Sequence, residues 1–108
     1  MEVNSFYQQV YEIVKLIPKG RVTTYGAIAK ALGAARSSRL VGTALIAAHR
    51  PHLTLPIHRV VNRTGLLTGK NHYHAPTMEE LLKADGIKVM DDQVLDFTQV
   101  FWNPLEEI

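Results

Sequence analysis

Cysteine is absent from the 108 residues. That excludes a disulfide scaffold, a zinc–thiolate site, a thiol redox centre and a cysteine nucleophile. Long hydrophobic runs are absent too, none approaching the roughly 20 residues that a membrane-spanning helix needs. The start, Met1-Glu2-Val3-Asn4, has neither the basic opening nor the apolar block of a signal peptide. The expected location is therefore the cytoplasm, away from any membrane. Acidic residues are scarce over one long stretch, with no carboxylate between Ile13 and Met78. What is present is ordinary for a globular protein, 46% apolar and 20% charged. A chain of this length has room for one hydrophobic core, so 1–108 is expected to form a single domain.

The net charge of +2 conceals a polarity. Residues 1–75 hold ten Lys or Arg and two acids, a balance of +8, whereas residues 76–108 balance at −6. An acid-free basic stretch carries a positive potential, for which a polyanion is the natural partner. A dimer whose acidic tail covers a basic face fits the same polarity, but nucleic acid is the favoured reading and the expected state is a monomer.

Residues 5–17 place Phe6, Val10, Ile13, Val14 and Ile17 on one stripe and predict an amphipathic helix. Ser5 with Gln8 reads as its opening capping box, and Pro18-Lys19-Gly20 as its end. Arg21-Val22-Thr23 suits a strand fragment. Thr24 is placed to N-cap a second helix over 25–32 that Gly33 stops. Ser37 or Ser38 then caps a third, running to about Ala48, with Leu40, Val41, Ala44, Leu45 and Ala48 inward. Two short helices joined by a tight turn, with Arg39 in the first turn of the second, form a helix-turn-helix pattern. A loop with two prolines follows over 49–56, then a compact segment at 57–61, a turn at 62–65 and a Gly- and His-containing loop over 66–76. Thr77 with Glu80 opens a further helix that Gly86 closes. Residues 87–90 and 94–97, parted by Asp91-Asp92, predict a hairpin, and Phe101, Trp102 and Pro104 are expected to dock on the core. The fold class is thus mainly α with small β elements, a helix-turn-helix of winged-helix type.

Three motifs fall short of sites. Gly65 to Asn71 is one residue short of a P-loop and has Asn where the Mg²⁺-binding hydroxyl belongs. His72 and His74 lack a third ligand and read as a solvated loop, so no metal site is expected. Ser37-Ser38 reads as a cap, not a nucleophile. No cofactor is expected.

Pro56-Ile57-His58-Arg59-Val60-Val61-Asn62, with Ile17 to Gly26 and Arg39-Leu40-Val41-Gly42, is the informative constellation. It resembles the DNA-binding domain of the O6-alkylguanine-DNA alkyltransferases over about residues 5–90. That family has Pro-Cys-His-Arg-Val where this chain has Pro-Ile-His-Arg-Val. The chain resembles the alkyltransferase-like subset that lacks the acceptor cysteine, with Ile57 at the nucleophile position. Dealkylation is attack on saturated carbon and needs a soft nucleophile such as a thiolate. Ile57 has no heteroatom, so alkyl transfer to the protein is not expected and the chain is read as a non-enzyme. His58, and Asp85 where the family usually has Glu, match the rest of the family's network and read here as a structural hydrogen-bond pair.

The resemblance implies DNA contacts from Thr24, Tyr25, Arg39, Gly42 and Ala44. Tyr25 presses on a phosphate, Arg39 holds the vacated stack, and the small Gly42 and Ala44 face outward in the minor groove. It also implies an alkylguanine pocket of Tyr25, Leu45, Ile57 and Val60 into which the base is flipped. The implied partners are duplex DNA containing O6-alkylguanine and nucleotide-excision-repair proteins. There are departures from the pattern. Ala48 stands where the family usually has Asn, so a hydrogen bond bracing the proline-containing loop is either missing or supplied by Asn62 or Arg50. One extra residue lies between Arg39 and Ile57, and the segment 67–76 differs from the usual Gly/Ser-rich pocket lid. A helix-turn-helix regulator or architectural DNA binder without lesion preference is the competing reading. An unrecognised activity of His58 and Asp85 ranks last.

Overall fold

A computed structural model describes residues 3–49 and 54–108, Val3 and Asn4 by backbone alone. The first helix, α1, spans Val3–Leu16 and buries the stripe Phe6, Val10, Ile13 and Val14, with Ile17 just beyond its end. It begins upstream of Ser5, which lies exposed within the helix, so Ser5 does not open it. A buried apolar stripe dictates where the helix packs, and a local cap does not limit how far it runs back.

After the turn at Gly20, β1 (Thr23–Thr24) pairs in parallel with β2 (Val60–Val61), Thr23 opposite Val60. The strand fragment expected over 21–23 therefore lies over 23–24, and Val22 instead makes an isolated bridge to Phe101. Helix α2 spans Tyr25–Ala31, and the Thr24 hydroxyl accepts from the Ala27 N–H at 3.0 Å. Gly33, at φ +73°, takes the left-handed conformation that ends it. Helix α3 spans Ser38–Ala47. Ser37 occupies its N-cap position without a side-chain cap hydrogen bond. These two helices pack together as the expected helix-turn-helix, and α3 also lies on α1.

Residues 57–61 are a 3-10 turn (Ile57–Arg59) running into β2, and a second 3-10 turn forms at Lys70–His72. Helix α4 spans Met78–Ala84 with a complete Thr77–Glu80 capping box. The hairpin is shorter than predicted, β3 (Val89–Met90) against β4 (Gln93–Val94), because Phe97 opens the short helix α5 (Phe97–Val100). Asp91 and Asp92, at φ 52° and 60°, make its left-handed turn. The tail ends in α6 (Pro104–Glu107), with Trp102 and Pro104 buried.

The core has two parts. α1, α2 and α3 close over one side of the β1–β2 pair with Ile57, Val60 and Trp102, and Val22, Val61, Leu67, Met78, Leu82, Ile87 and Val94 fill the other. Val60 faces the first and Val61 the second, so a two-residue strand ties the halves together. Among the described residues no helix is long and apolar enough to cross a membrane.

Candidate nucleic-acid interface

The β1–β2 register sets the site. It brings Tyr25, one residue after β1, close to the 3-10 turn that leads into β2. Tyr25, Leu45, Ile57 and Val60, the four expected pocket residues, line one cavity of about 140 Å³. Ile57 is 8% exposed and contributes its apolar side chain to the wall. Tyr25 is held between two glycines. A Cβ on Gly42 would lie 3.9 Å from its ring, and one on Gly69 would lie 3.3 Å from its hydroxyl. At the tighter approach, a side chain at position 69 would make the Tyr25 hydroxyl shift by a few tenths of an ångström.

Outside the cavity an open groove is bounded by Tyr25, Ser38, Arg39 and Gly42. Arg39 is exposed in the first turn of α3, as a residue that meets a partner must be. Two of the expected contact residues do not lie on that face. Ala44 is 0% exposed in the core, where its carbonyl accepts from the Tyr11 hydroxyl at 2.7 Å, so it does not face outward. Its position on α3 puts it on the buried stripe with Val41, Leu45 and Ala48, and the exposed side chains of that helix are Arg39, Thr43 and Ile46. Thr24 is also buried, its hydroxyl committed to capping α2 and so to positioning Tyr25.

His58 and Asp85 do meet. The His58 Nε2–H donates to Asp85 Oδ2 at 2.9 Å. Arg59 grips the same carboxylate with both arms, at 2.7 and 3.1 Å, and donates from Nη1 to the Ile17 carbonyl at 2.9 Å. This ties the 3-10 turn to α4 and to the end of α1. Burial would raise the Asp85 carboxyl, but hydrogen bonds from Arg59 and His58 outweigh it and hold it below its usual range. Burial lowers His58 against the opposing pull of Asp85, favouring the neutral imidazole. Asn62 braces its own turn and not the proline-containing loop, since its Oδ1 accepts from Thr64 and the Leu66 N–H. The alternative brace, Arg50, lies outside the described residues.

The pocket has walls that sequence reasoning missed. His49, His72, Tyr73 and Gly69 also line the cavity. His49 sits edge-on to the Tyr73 ring at 4.7 Å and 5.7 Å from the His72 ring. His72 is solvent-exposed, as expected, yet its other side faces the cavity. The Tyr73 hydroxyl is buried without a hydrogen-bond partner among the described residues, and burial, with Tyr25 nearby, pushes its pKa well up. The available signal was the position of 67–76 where the family has a pocket lid, but residue types there gave no register.

Residues 5–87 match the family described as 6-O-methylguanine DNA methyltransferase, DNA binding domain. The chain is 41% identical over 102 residues to the DNA base-flipping protein of Escherichia coli, covering 93% of this chain and 76% of that one. It is 30% identical over 109 residues to alkyltransferase-like protein 1 of Schizosaccharomyces pombe, covering 96% of this chain and 100% of the relative. The fold superposes with TM-score 0.82 at 28% identity on the crystal structure of S. pombe Atl1 in complex with damaged DNA containing O6-carboxymethylguanine, covering 94% of this chain and 98% of that one.

Proposed function

The chain belongs to the 6-O-methylguanine DNA methyltransferase family through its DNA-binding domain, and from that premise we propose that it recognises O6-alkylguanine in duplex DNA without removing the alkyl group. The carrying observation is the cavity formed by Tyr25, Leu45, Ile57 and Val60, with an apolar side chain at Ile57 and no sulfur nucleophile in the chain. Ile57 stands in the acceptor cysteine's place, so a flipped base is held and left unreacted.

In this reading α3 lies in the minor groove with Gly42 allowing close approach. Tyr25 presses on the phosphate beside the target, and Arg39 enters the stack to hold the vacated space. Base extrusion costs a few kcal/mol, less for a modified base whose pairing is already weakened. Names and complexes of the relatives support this reading, since they describe base flipping and damaged DNA. His58, Asp85 and Arg59 brace the pocket floor and carry no turnover. The whole chain works as one domain, a cytoplasmic monomer that flags the lesion for nucleotide-excision repair.

The test is a gel-shift titration at fixed salt with short duplexes that differ only in one guanine or O6-methylguanine. Tighter binding of the lesion is expected, with the methyl group still on the base when it is recovered. Equal binding would leave a DNA-binding scaffold without lesion preference and overturn the reading.

A further inference from the structure

The base cavity does not end at Ile57. A second, larger and more open cavity of about 380 Å³ shares four of its walls, His49, Ile57, His72 and Tyr73. His58 and His74 line its far side. Four of the chain's five histidines therefore face one compartment next to the base pocket. No Asp or Glu lines either cavity among the described residues. Nor do these residues include a group of three or more His, Cys, Asp or Glu side chains placed to hold a metal ion. The histidines are thus separate hydrogen-bond donors and latent charges.

We infer that this compartment receives the distal end of an extended O6 substituent, and that it selects acidic substituents, carboxyalkyl groups, over neutral ones of the same shape. The inference rests on the reading that the first cavity holds a flipped O6-alkylguanine. A substituent longer than methyl, leaving the base beside Ile57, meets His49, His72 and Tyr73 at the shared wall, with the Tyr73 hydroxyl buried behind it. A buried hydroxyl without a partner gains a hydrogen bond when an acceptor arrives, so it favours any substituent carrying oxygen. Only a carboxylate also draws a proton onto the imidazoles.

The titratable groups facing the compartment come from every side. His49 extends from the end of α3, His58 from the first 3-10 turn, His72 from the second, and Tyr73 and His74 from the loop after it. Tyr25 faces the adjoining cavity from α2. Asp85 is hydrogen-bonded to His58 and already engaged by Arg59. Burial lowers His49, and His72 lowers it further; burial also lowers His58. Burial therefore favours the neutral imidazole at His49 and His58 while the compartment is empty. A bound carboxylate stabilises imidazolium and takes up a proton from solvent, which makes its affinity rise as pH falls.

Four duplexes identical except at one base test this: guanine, O6-methylguanine, O6-carboxymethylguanine and the uncharged amide O6-carbamoylmethylguanine. Each is titrated at fixed ionic strength at pH 7.5 and pH 6.0. The carboxylate stays ionised at both, its pKa being about 3–4. The preference for acid over amide should grow by up to about tenfold at pH 6.0, the equivalent of one pKa unit. Phosphate contacts cancel in that ratio. His49→Gln should remove much of the pH dependence, since His49 lines both cavities and burial lowers its pKa, and Tyr73→Phe should weaken acid and amide alike by several-fold while keeping it. Thermal unfolding establishes that each variant is folded, and the unmodified protein's ratio decides the matter if one is not. An acid-to-amide ratio that does not change with pH overturns the inference. If O6-methylguanine still binds more tightly than guanine, the sensor reading survives that result; if no lesion is preferred, the sensor reading is what has failed.

Discussion

At the scale of single residues the most constrained group is Asp85, whose side chain is 9% exposed and serves both Arg59 and His58. Removing one partner of such a pair leaves a charge without compensation in a poorly solvated place. Asp85→Asn should lower stability by about 2–3 kcal/mol, or roughly 10–20 °C in melting temperature for a domain of this size. Calorimetry checks it. The pH dependence follows from two opposite kinds of group. His58 has a folded-state pKa below its usual value, so the unfolded chain binds more protons, and stability falls as pH drops below about 6.5. Asp85 has a depressed pKa, so its contribution is present above about pH 4 and is lost as pH falls through the folded value. His58→Gln should flatten the decline between pH 7 and 5 and keep the steeper acid loss below pH 4. An unchanged slope in melting scans would refute the assignment to His58. The chemistry of this trio was legible in the sequence only as far as the His58–Asp85 pair. Arg59 was read as part of a motif, and its bidentate grip needed the fold to bring α4 alongside.

At the scale of elements, α2 has seven residues, too few to be stable alone, and depends on its cap and on packing against α3. Thr24→Val keeps the shape and removes the hydroxyl that accepts from Ala27. It should cost about 1 kcal/mol in urea unfolding, the usual worth of an N-cap, and it should also reduce lesion preference, because Tyr25 is the first residue of the helix. A loss of stability with lesion preference untouched would separate the cap from the site. Element ends such as this one were readable because they are local chemistry. The caps at Thr24 and Thr77, the stop at Gly33 and the turn at Asp91-Asp92 each rest on a few neighbouring residues. The capping box expected at Ser5 failed because Phe6, Val10, Ile13 and Val14 anchor α1 whatever happens at its first turn. Outward placement of Ala44 failed because the buried stripe of α3 includes it. The parallel β1–β2 pair and the wall of His49, His72 and Tyr73 were not readable, since residues 23 and 60, or 49 and 73, meet only through the tertiary fold.

At the scale of the whole molecule, the charge polarity of the sequence is partly folded back on itself. Arg21 pairs with Glu107, Arg59 with Asp85 and Lys70 with Asp92, so the acidic second part of the chain neutralises some of the basic first part. At these points acidic and basic residues meet within one chain. What the pairs leave matters more. Lys30 at the end of α2, Arg36 in the following turn and Arg39 in α3 form no ion pair among the described residues, and all three belong to the helix-turn-helix. If each meets one phosphate, binding to an undamaged duplex should fall with salt at a log–log slope of about −2.7, at roughly −0.9 per phosphate for B-DNA. Lys30→Ala should lower that slope by about one unit and weaken damaged and undamaged duplexes equally. Arg39→Ala should do the same to the slope but also cut the preference for O6-methylguanine, because in the proposed complex it enters the stack from its place beside Tyr25 and Gly42. Salt titrations of both variants on both duplexes resolve the two roles. Matching losses in Lys30→Ala and Arg39→Ala would reduce Arg39 to one charge among three, and lesion selection would then rest on the pocket alone.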